Sequence, residues 1–269
     1  MLKADMHIHS TVSDGSETIP EIIRQAVKNG LDAIAVTDHD TLRHRNLLPK
    51  NGPIRVEAGI EISAIDPVKK RKAHILGYGI KDAEAVEAFT KPILLRRHEN
   101  SLKQIDILRK HGYRIDTDLL NKADGTYIYK QHITEYLVNT GQAPDRFGDF
   151  YQRIFKNGGI CDFDISYVTA EDAVRTITEA GGMAVLAHSG QQQNFYLIDR
   201  LVPLGLKGLE LNHPANSVKD REIIRNYAEK YHLFLTGGSD FHGTNEKIPR
   251  RIGAYIAEES GSRAVFGNL

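Results

Sequence analysis

Short apolar runs that stop at a histidine or a carboxylate recur along this chain, and that recurrence limits the folds open to it. The first is Asp5-Met6-His7-Ile8-His9-Ser10. Leu2, Ala4, Met6 and Ile8 alternate with other residues, as in a strand. Side chains two apart on a strand share a face, so His7 and His9 emerge side by side, placed to grip one metal ion. The alternative is a surface strand that carries two histidines without function. Similar packets follow: Asp38-His39-Asp40 after Ala33–Thr37, Glu61 near the end of the strand from Ile54, His74 on the strand from Ala73 to Gly79, and His188 after Met183–Ala187. Gly208–Leu211 leads to His213, and Leu233–Thr236 runs into Gly237-Gly238-Ser239-Asp240-Phe241-His242.

Helical patterns alternate with these runs. Thr18 and Glu21 form a capping-box signature ahead of the apolar face Ile19, Ile22, Ile23, Ala26 and Val27, and Gly30 is a stop. Further helices are expected at Ala170–Ala180, near Phe195–Leu204 and at Asp220–Tyr231. About seven strands with ionisable residues gathered at their ends are the signature of an α/β barrel or an open parallel sheet with its site at one rim. From about Ala83 to Tyr167 the pattern is helical instead. Pro92 is read as opening a long amphipathic stretch to His111-Gly112, and another helix as lying around His132–Asn139. Residues 93–165 are therefore expected to be a helical insertion between two parts of a barrel, 1–92 and 166–269.

Charge excludes some functions. The 35 Lys and Arg residues balance 35 Asp and Glu, which argues against a protein that coats duplex nucleic acid but not against a small phosphorylated substrate. With one cysteine, Cys161, no intramolecular disulfide can form, which is compatible with a reducing, cytoplasmic setting. No N-terminal apolar region suggests a signal peptide. No run approaches the roughly 20 apolar residues that span a bilayer, so no membrane partner is expected.

The packets DMHIHS, TDHD, EIS, AHI, AHSG and GSDFH, in this order, resemble the polymerase and histidinol phosphatase (PHP) family. The SDGS loop, GGMAVLAHSG, QHITEYLV and GSDFHGT resemble its stand-alone nucleotide phosphoesterases, over nearly the whole chain. The resemblance implies a distorted (β/α)7 barrel with three divalent metal ions at its C-terminal rim. By that resemblance His7, His9 and Asp240 would hold one metal. Glu61 would bridge it to a second, which His74 and His132 also bind, and Asp14, His39 and His242 would hold the third. His188 and Lys130 would meet the phosphate or support the catalytic cluster; Lys130 stands where relatives often carry arginine, and Ser189 where they usually carry proline. Mixed nitrogen and oxygen donors suit manganese, iron or zinc alike. Asp5, Asp38 and Asp40 are candidates for orienting the imidazoles from behind.

The expected reaction is in-line hydrolysis of a phosphomonoester of a nucleotide, such as a nucleoside 3',5'-bisphosphate, a 5'-nucleotide or short RNA, by hydroxide bridging the metals. A histidinol-phosphate phosphatase, a non-catalytic metal-bound module and a C–N hydrolase on a similar barrel are the alternatives. His44, His98, His111 and His232 are expected to face solvent or sit at helix ends, and Lys69–Lys72 to form a solvated turn. The positions of His213, Arg96 and Arg97 are left open, and Tyr127 and Tyr129 are expected to pack against the barrel.

Overall fold

The computed structural model describes residues 2–120 and 127–267; residues 121–126 of the expected insertion, and Met1, lie outside the described part. The strands are β1 (Ala4–Ile8), β2 (Ala33–Val36), β3 (Arg55–Ala58), β4 (Ile60–Asp66), β5 (Arg71–Tyr78), β6 (Val168–Thr169), β7 (Met183–Leu186), β8 (Leu206–Asn212) and β9 (Phe234–Gly237). The helices are α1 (Ile19–Lys28), α2 (Ala83–Lys110), α3 (Lys130–Asn139), α4 (Asp149–Phe155), α5 (Ala170–Glu179), α6 (Ser189–Gln192), α7 (Ile198–Leu201), α8 (Val218–Tyr231) and α9 (Glu259–Phe266).

Two sheets, β1-β2-β3 and β6-β4-β5-β7-β8-β9, are joined into one ring. At one seam β3 runs into β4 through Gly59, and the Asp40 and Glu61 backbone N–H groups donate to Glu61 O (2.9 Å) and Asp38 O (3.2 Å). At the other, the His9 N–H donates to Phe241 O (2.8 Å) and the Ala257 N–H to Ala4 O (2.9 Å). With β3 and β4 counted as one interrupted stave and β6 set outside β4, the ring has seven staves among the described residues. This is the distorted (β/α)7 barrel. The distortion has a definite source: β5 is antiparallel to both β4 and β7. Its N-terminal half therefore lies at the rim where the other staves end, which is how His74 reaches that rim from early in its strand.

The core is layered. Ile60, Ile62, Ala73, Ile75, Leu186, Leu209 and Leu211 pack outward against Ala173, Val174, Ile177 and Ile224 of the helices. Ala4, Met6, Ala33, Ala35, Leu76, Tyr78 and Val185, drawn from staves around the ring, fill the barrel itself. Ile8 does not join them. It packs with Ile22, Ile34 and Phe241 on the helix side. The strict alternation expected from Leu2 to Ile8 is broken by a register shift between Asp5 and Ile8. Such a shift re-aims the side chains beyond it, and it turns His7 and His9 above the apolar layer.

The helix expected from Pro92 starts nine residues earlier in the chain: α2 runs from Ala83 to Lys110 with Pro92 inside it. Pro92 lies on the exposed side of the helix, where the one i→i−4 hydrogen bond that it removes does least harm. The 92/93 division therefore falls within a continuous helix. Val86 and Ile93 of α2 pack on the barrel, whereas Ile105 and Leu108 pack with Ile133, Leu137, Phe150 and Phe155 in a separate core.

Gly238 marks the tightest approach beneath the site. A Cβ built there would lie 2.3 Å from His7 Cβ and 2.4 Å from His7 N. Gly238→Ala must push the end of β9 away from β1. Overpacking of this kind costs about 1–3 kcal/mol or more, and thermal unfolding should show a midpoint several degrees lower. Gly52→Ala, where the nearest atom is 3.6 Å away, should leave the midpoint unchanged.

Candidate metal centre

Glu61 is the hub of the rim. It is 1% exposed. Its Oε2 lies 3.2 Å from His7 Nε2, 3.2 Å from His9 Nε2 and 3.1 Å from His39 Nδ1. Its Oε1 lies 2.7 Å from His74 Nδ1 and 2.9 Å from His188 Nε2. Asp240 Oδ1 is 3.4 Å from both His7 Nε2 and His9 Nε2. Asp14 is 3.4 Å from His242 Nε2 and 3.9 Å from His39 Nε2.

These groups fall into overlapping clusters whose donor atoms lie within 4.8 Å of one another: His7/His9/Glu61/Asp240, His39/Glu61/His74, and His9/Asp14/His39/His242. A fourth cluster, His7/His188/Glu210, lies behind the first. Nine of the sequence-derived candidates are thus brought together: His7, His9, Asp14, His39, Glu61, His74, His188, Asp240 and His242. The donor set suits divalent cations. His7 Nε2, both nitrogens of His9 and His39 Nδ1 are buried without a hydrogen-bond partner among the described residues, although carboxylate oxygens lie close by. Buried polar atoms left in that state are costly, and a cation between ring and carboxylate would satisfy both.

His132 does not join them. As the third residue of α3, it accepts the Tyr129 backbone N–H at Nδ1 (3.3 Å), and its Nε2 lies 3.1 Å from Ser13 O. Both ring nitrogens are engaged with backbone; the donor grouped with Glu61 and His74 is His39, and His188 Nε2 approaches the same Glu61 oxygen as His74. Lys130 begins α3. Its Nζ is 5.9 Å from the Phe155 ring centre, and burial pushes its pKa down.

The expected supports behind the imidazoles are also redistributed. Asp5 accepts the N–H groups of His7, Ser239 and Gly253 and the Ser239 hydroxyl, so it ties β1 to the loop after β9. Asp40 takes Arg97 (2.7 Å) and the Ser63 N–H. Asp38 accepts from Ser10 and Ser13 and lies 2.9 Å from His44 Nδ1. Burial alone would raise the Asp38 carboxyl, but His44 and Ser13 draw it down to about 2. His44 is thus fully buried; of the two expectations, facing solvent or sitting at a helix end, the first does not hold for it. The other three are closer to expectation: His111 and His232 cap the C-termini of α2 and α8, and half-buried His98 accepts the Ile128 N–H.

The carboxylate that orients a clustered imidazole is Glu210, which sequence reading passed over. Leu209 and Leu211 face the helices, so alternation turns Glu210 inward. Its Oε1 lies 2.9 Å from His7 Nδ1, and its Oε2 accepts the His188 N–H (2.8 Å). A glutamate between two leucines of a buried strand was the available signal. His213 is buried, with Nε2 3.3 Å from Asp240 Oδ2, and Arg250 donates to the same oxygen (3.1 Å) and to Asp240 O (3.0 Å). Nothing in the sequence around Arg250 marked it. His188 (φ 25°), Asp40 (φ 59°) and Asp240 (φ 51°) all take left-handed backbone. Each costs roughly 1–3 kcal/mol, and each is held by the bonds just described.

An α/β barrel whose rim gathers imidazoles and carboxylates in this way defines a metal-dependent hydrolase. Residues 5–184 match the PHP domain, and the chain belongs to the PHP family. It is 42% identical to a phosphoribosyl 1,2-cyclic phosphate 1,2-diphosphodiesterase of Eggerthella lenta, over 91% of this chain and 96% of that protein. It is 30% identical to a 3',5'-nucleoside bisphosphate phosphatase of Chromobacterium violaceum, over 91% and 89%. Among solved structures, an amidohydrolase of Chromobacterium violaceum with bound sulfate superposes with a TM-score of 0.81 at 28% identity, over 94% of this chain and 90% of that one. A Bifidobacterium adolescentis protein gives 0.85 at 25% identity, over 98% and 96%. The chain is a metal-dependent phosphoesterase. No helix among the described residues is long and apolar enough to cross a membrane.

Two outcomes follow. A cation seated at Glu61 and His74 should be lost in His188→Ala and kept in His132→Ala; metal analysis after gel filtration distinguishes them. The second concerns protons. Burial would lower His9, but the nearby carboxylates of Asp240 and Glu61 push it up to about 10 in the metal-free protein, and His7, also opposed by burial, is raised well above its ordinary value by Glu61, Glu210 and Asp240. Rings raised in this way are protonated at neutral pH and must lose that proton to bind. Adding Mn2+ to chelator-treated protein at pH 7.5 should therefore release protons, read by calorimetry in buffers of different ionisation enthalpy. Affinity should climb as the pH rises from 7 towards 10.

Proposed function

We propose that this phosphoesterase hydrolyses a ribose phosphate that carries two phosphoryl groups, one placed over the Glu61 hub and the other held by Lys130. His7, His9, Glu61 and Asp240 would hold one divalent cation, Glu61, His74 and His188 a second, and Asp14, His39 and His242 a third. Bound there, such ions would act as Lewis acids on phosphoryl oxygens and lower the pKa of water from about 15.7 towards 7. Three divalent ions against the carboxylates of Asp14, Glu61, Glu210 and Asp240 would leave about two positive charges, enough for a phosphate dianion. The chain's own part is to fix the donors: Glu210 holds His7 and His188, and Arg250 with His213 holds the far oxygen of Asp240.

The observation that carries this reading is that two donor clusters share one buried carboxylate, Glu61, and a third shares His9 and His39 with them. Lys130 adds a half-buried cation with no ion pair to a carboxylate among the described residues, next in the chain to Gln131, which touches Asp14. Lysine is a point charge that tolerates different phosphate orientations. A cyclic phosphodiester of a phosphorylated ribose is the first substrate to test, because the relative at 42% identity acts on one. Nucleoside 3',5'-bisphosphates are the second, as for the relative at 30%; 5'-nucleotides and short RNA complete the panel.

The test is turnover of phosphoribosyl 1,2-cyclic phosphate, in which one water opens the ring to a phosphomonoester and a second frees inorganic phosphate. Both products are followed, together with release of inorganic phosphate from 3',5'-bisphosphates and 5'-AMP, before and after chelation. Turnover of a doubly phosphorylated substrate, abolished by chelation and restored by Mn2+, is expected. Lys130→Ala should raise KM for those substrates on the order of tenfold, the worth of one charge-assisted hydrogen bond, and leave 5'-AMP much less affected. No turnover of any phosphoester by fully loaded protein would refute the reading.

A further inference from the structure

The three donor clusters are not built alike. Among the described residues His7, His9, Glu61, His74, His188 and Asp240 are braced by barrel segments such as Glu210, His213, Arg250 and Gln192, whose Oε1 accepts the His74 N–H (3.1 Å). The Asp14/His39/His242 cluster is braced from the helical insertion. Gln131 Nε2 donates to Asp14 Oδ2 (2.8 Å). The Tyr129 hydroxyl donates to His39 O (3.0 Å). Arg146, beyond α3, donates to Thr244 O (2.9 Å) and Thr244 Oγ1 (3.0 Å) and to Asn245 Oδ1, just after His242. Asn245 Nδ2 in turn donates to Asp14 O (2.9 Å). Each of the three residues is thus reached, directly or through its neighbours, from residues 129–146.

We propose that Gln131 and Arg146 are positioning residues through which the insertion completes the Asp14/His39/His242 pocket, so that a cation in that pocket and the docking of α3 stabilise each other. This rests on the reading of those three residues as a cation pocket. Gln131 suits the task. Its amide fixes one Asp14 oxygen by hydrogen bonding yet leaves the carboxylate its full charge, whereas an arginine or lysine there would compete with the cation. The other oxygen, Oδ1, stays turned towards His242 Nε2 and, at 3.8 Å, His9 Nδ1. Arg146 also pairs with Glu135 of α3 (3.2 Å), so one guanidinium ties the helix to the strap after His242. Coupling between two binding events is reciprocal: whatever loosens α3 weakens the cation, and loss of the cation loosens α3.

The test uses the full chain, stripped with chelator and titrated with Mn2+ while free ion is followed by electron paramagnetic resonance. Gln131→Met keeps the length of the side chain and removes the donor. It should weaken one equivalent of three by 10-fold to 100-fold, the range for residues that orient a metal ligand, and leave the other two unchanged. Arg146→Ala should weaken the same equivalent. Hydrogen exchange supplies the second readout: Mn2+ should slow exchange in α3 in the wild type, and this protection should be lost in Gln131→Met. Wild type holding three equivalents, with Gln131→Met unchanged in both readouts, overturns the clamp alone. Wild type holding fewer than three overturns the pocket beneath it and the clamp with it.

Discussion

A buried carboxylate surrounded by five imidazoles is the constraint on which this rim depends. Glu61 has no solvent to stabilise its charge, and an isolated ionised carboxylate in such a place would take up a proton instead. Burial pulls Glu61 in that direction, but His39, His7, His74 and His188 reverse it and hold the carboxyl well below its ordinary range. Its charge is thus shared among staves β1, β2, β5 and β7 and the loops at their ends. No pair of these elements could satisfy it alone. The ring must close before the charge is balanced, so closure of the barrel and assembly of the site are one event.

That dependence explains what could be read in the sequence. His7, His39, Glu61, His188, Asp240 and His242 each end an apolar run or lie close to its end, His74 lies near the start of one, and a barrel with one reversed stave brings all of these ends together. The strand count and the rim position followed from the same pattern. What could not be read was set by register and by contacts across the chain. The register shift in β1 is invisible in an alternation that looks unbroken from Leu2 to Ile8. His132 sits in a packet that resembles its relatives, yet its ring faces the backbone of Tyr129 and Ser13 because of where α3 docks, and docking angles are not encoded by local spacing. Pro92 resembles a helix start because proline favours the first turn, but its exposed face allows α2 to run through it. Glu210 was legible, as a lone carboxylate within a leucine-flanked strand; Arg250 was not, since it lies in an irregular segment without periodicity.

The barrel separates two demands that conflict in a small core. Below the rim, Met6, Ala33, Ala35, Leu76, Tyr78 and Val185 make an apolar plug, and the outer layer of isoleucines and leucines holds the helices. These supply stability and tolerate no charge. At the rim, His188, Asp40 and Asp240 adopt backbone that non-glycine residues seldom take, and several ring nitrogens lack partners. The strain can persist because rigid strands, and not loops, carry the residues beneath it. Tyr78 links the layers: it is fully buried in the plug, and its hydroxyl donates to Met6 O (2.8 Å) within the irregular stretch that aims His7 and His9.

The insertion then has a physical reason to interrupt the barrel where it does. It leaves through α2, directly after the antiparallel β5, and returns at β6 on the outer edge of β4. Both attachment points flank the stave that carries Glu61. A helical unit anchored there, with its own apolar core, reaches across the rim with the first turn of α3. It thereby meets Asp14 and His39, which lie on loops following β1 and β2. Those loops receive less bracing from neighbouring staves than Glu61 or His74, which sit in paired strands. Donors on loops need support from outside the sheet to hold a geometry, and the insertion provides it. The part of the chain that departs most from barrel periodicity is therefore coupled to the cluster whose donors the barrel holds least firmly.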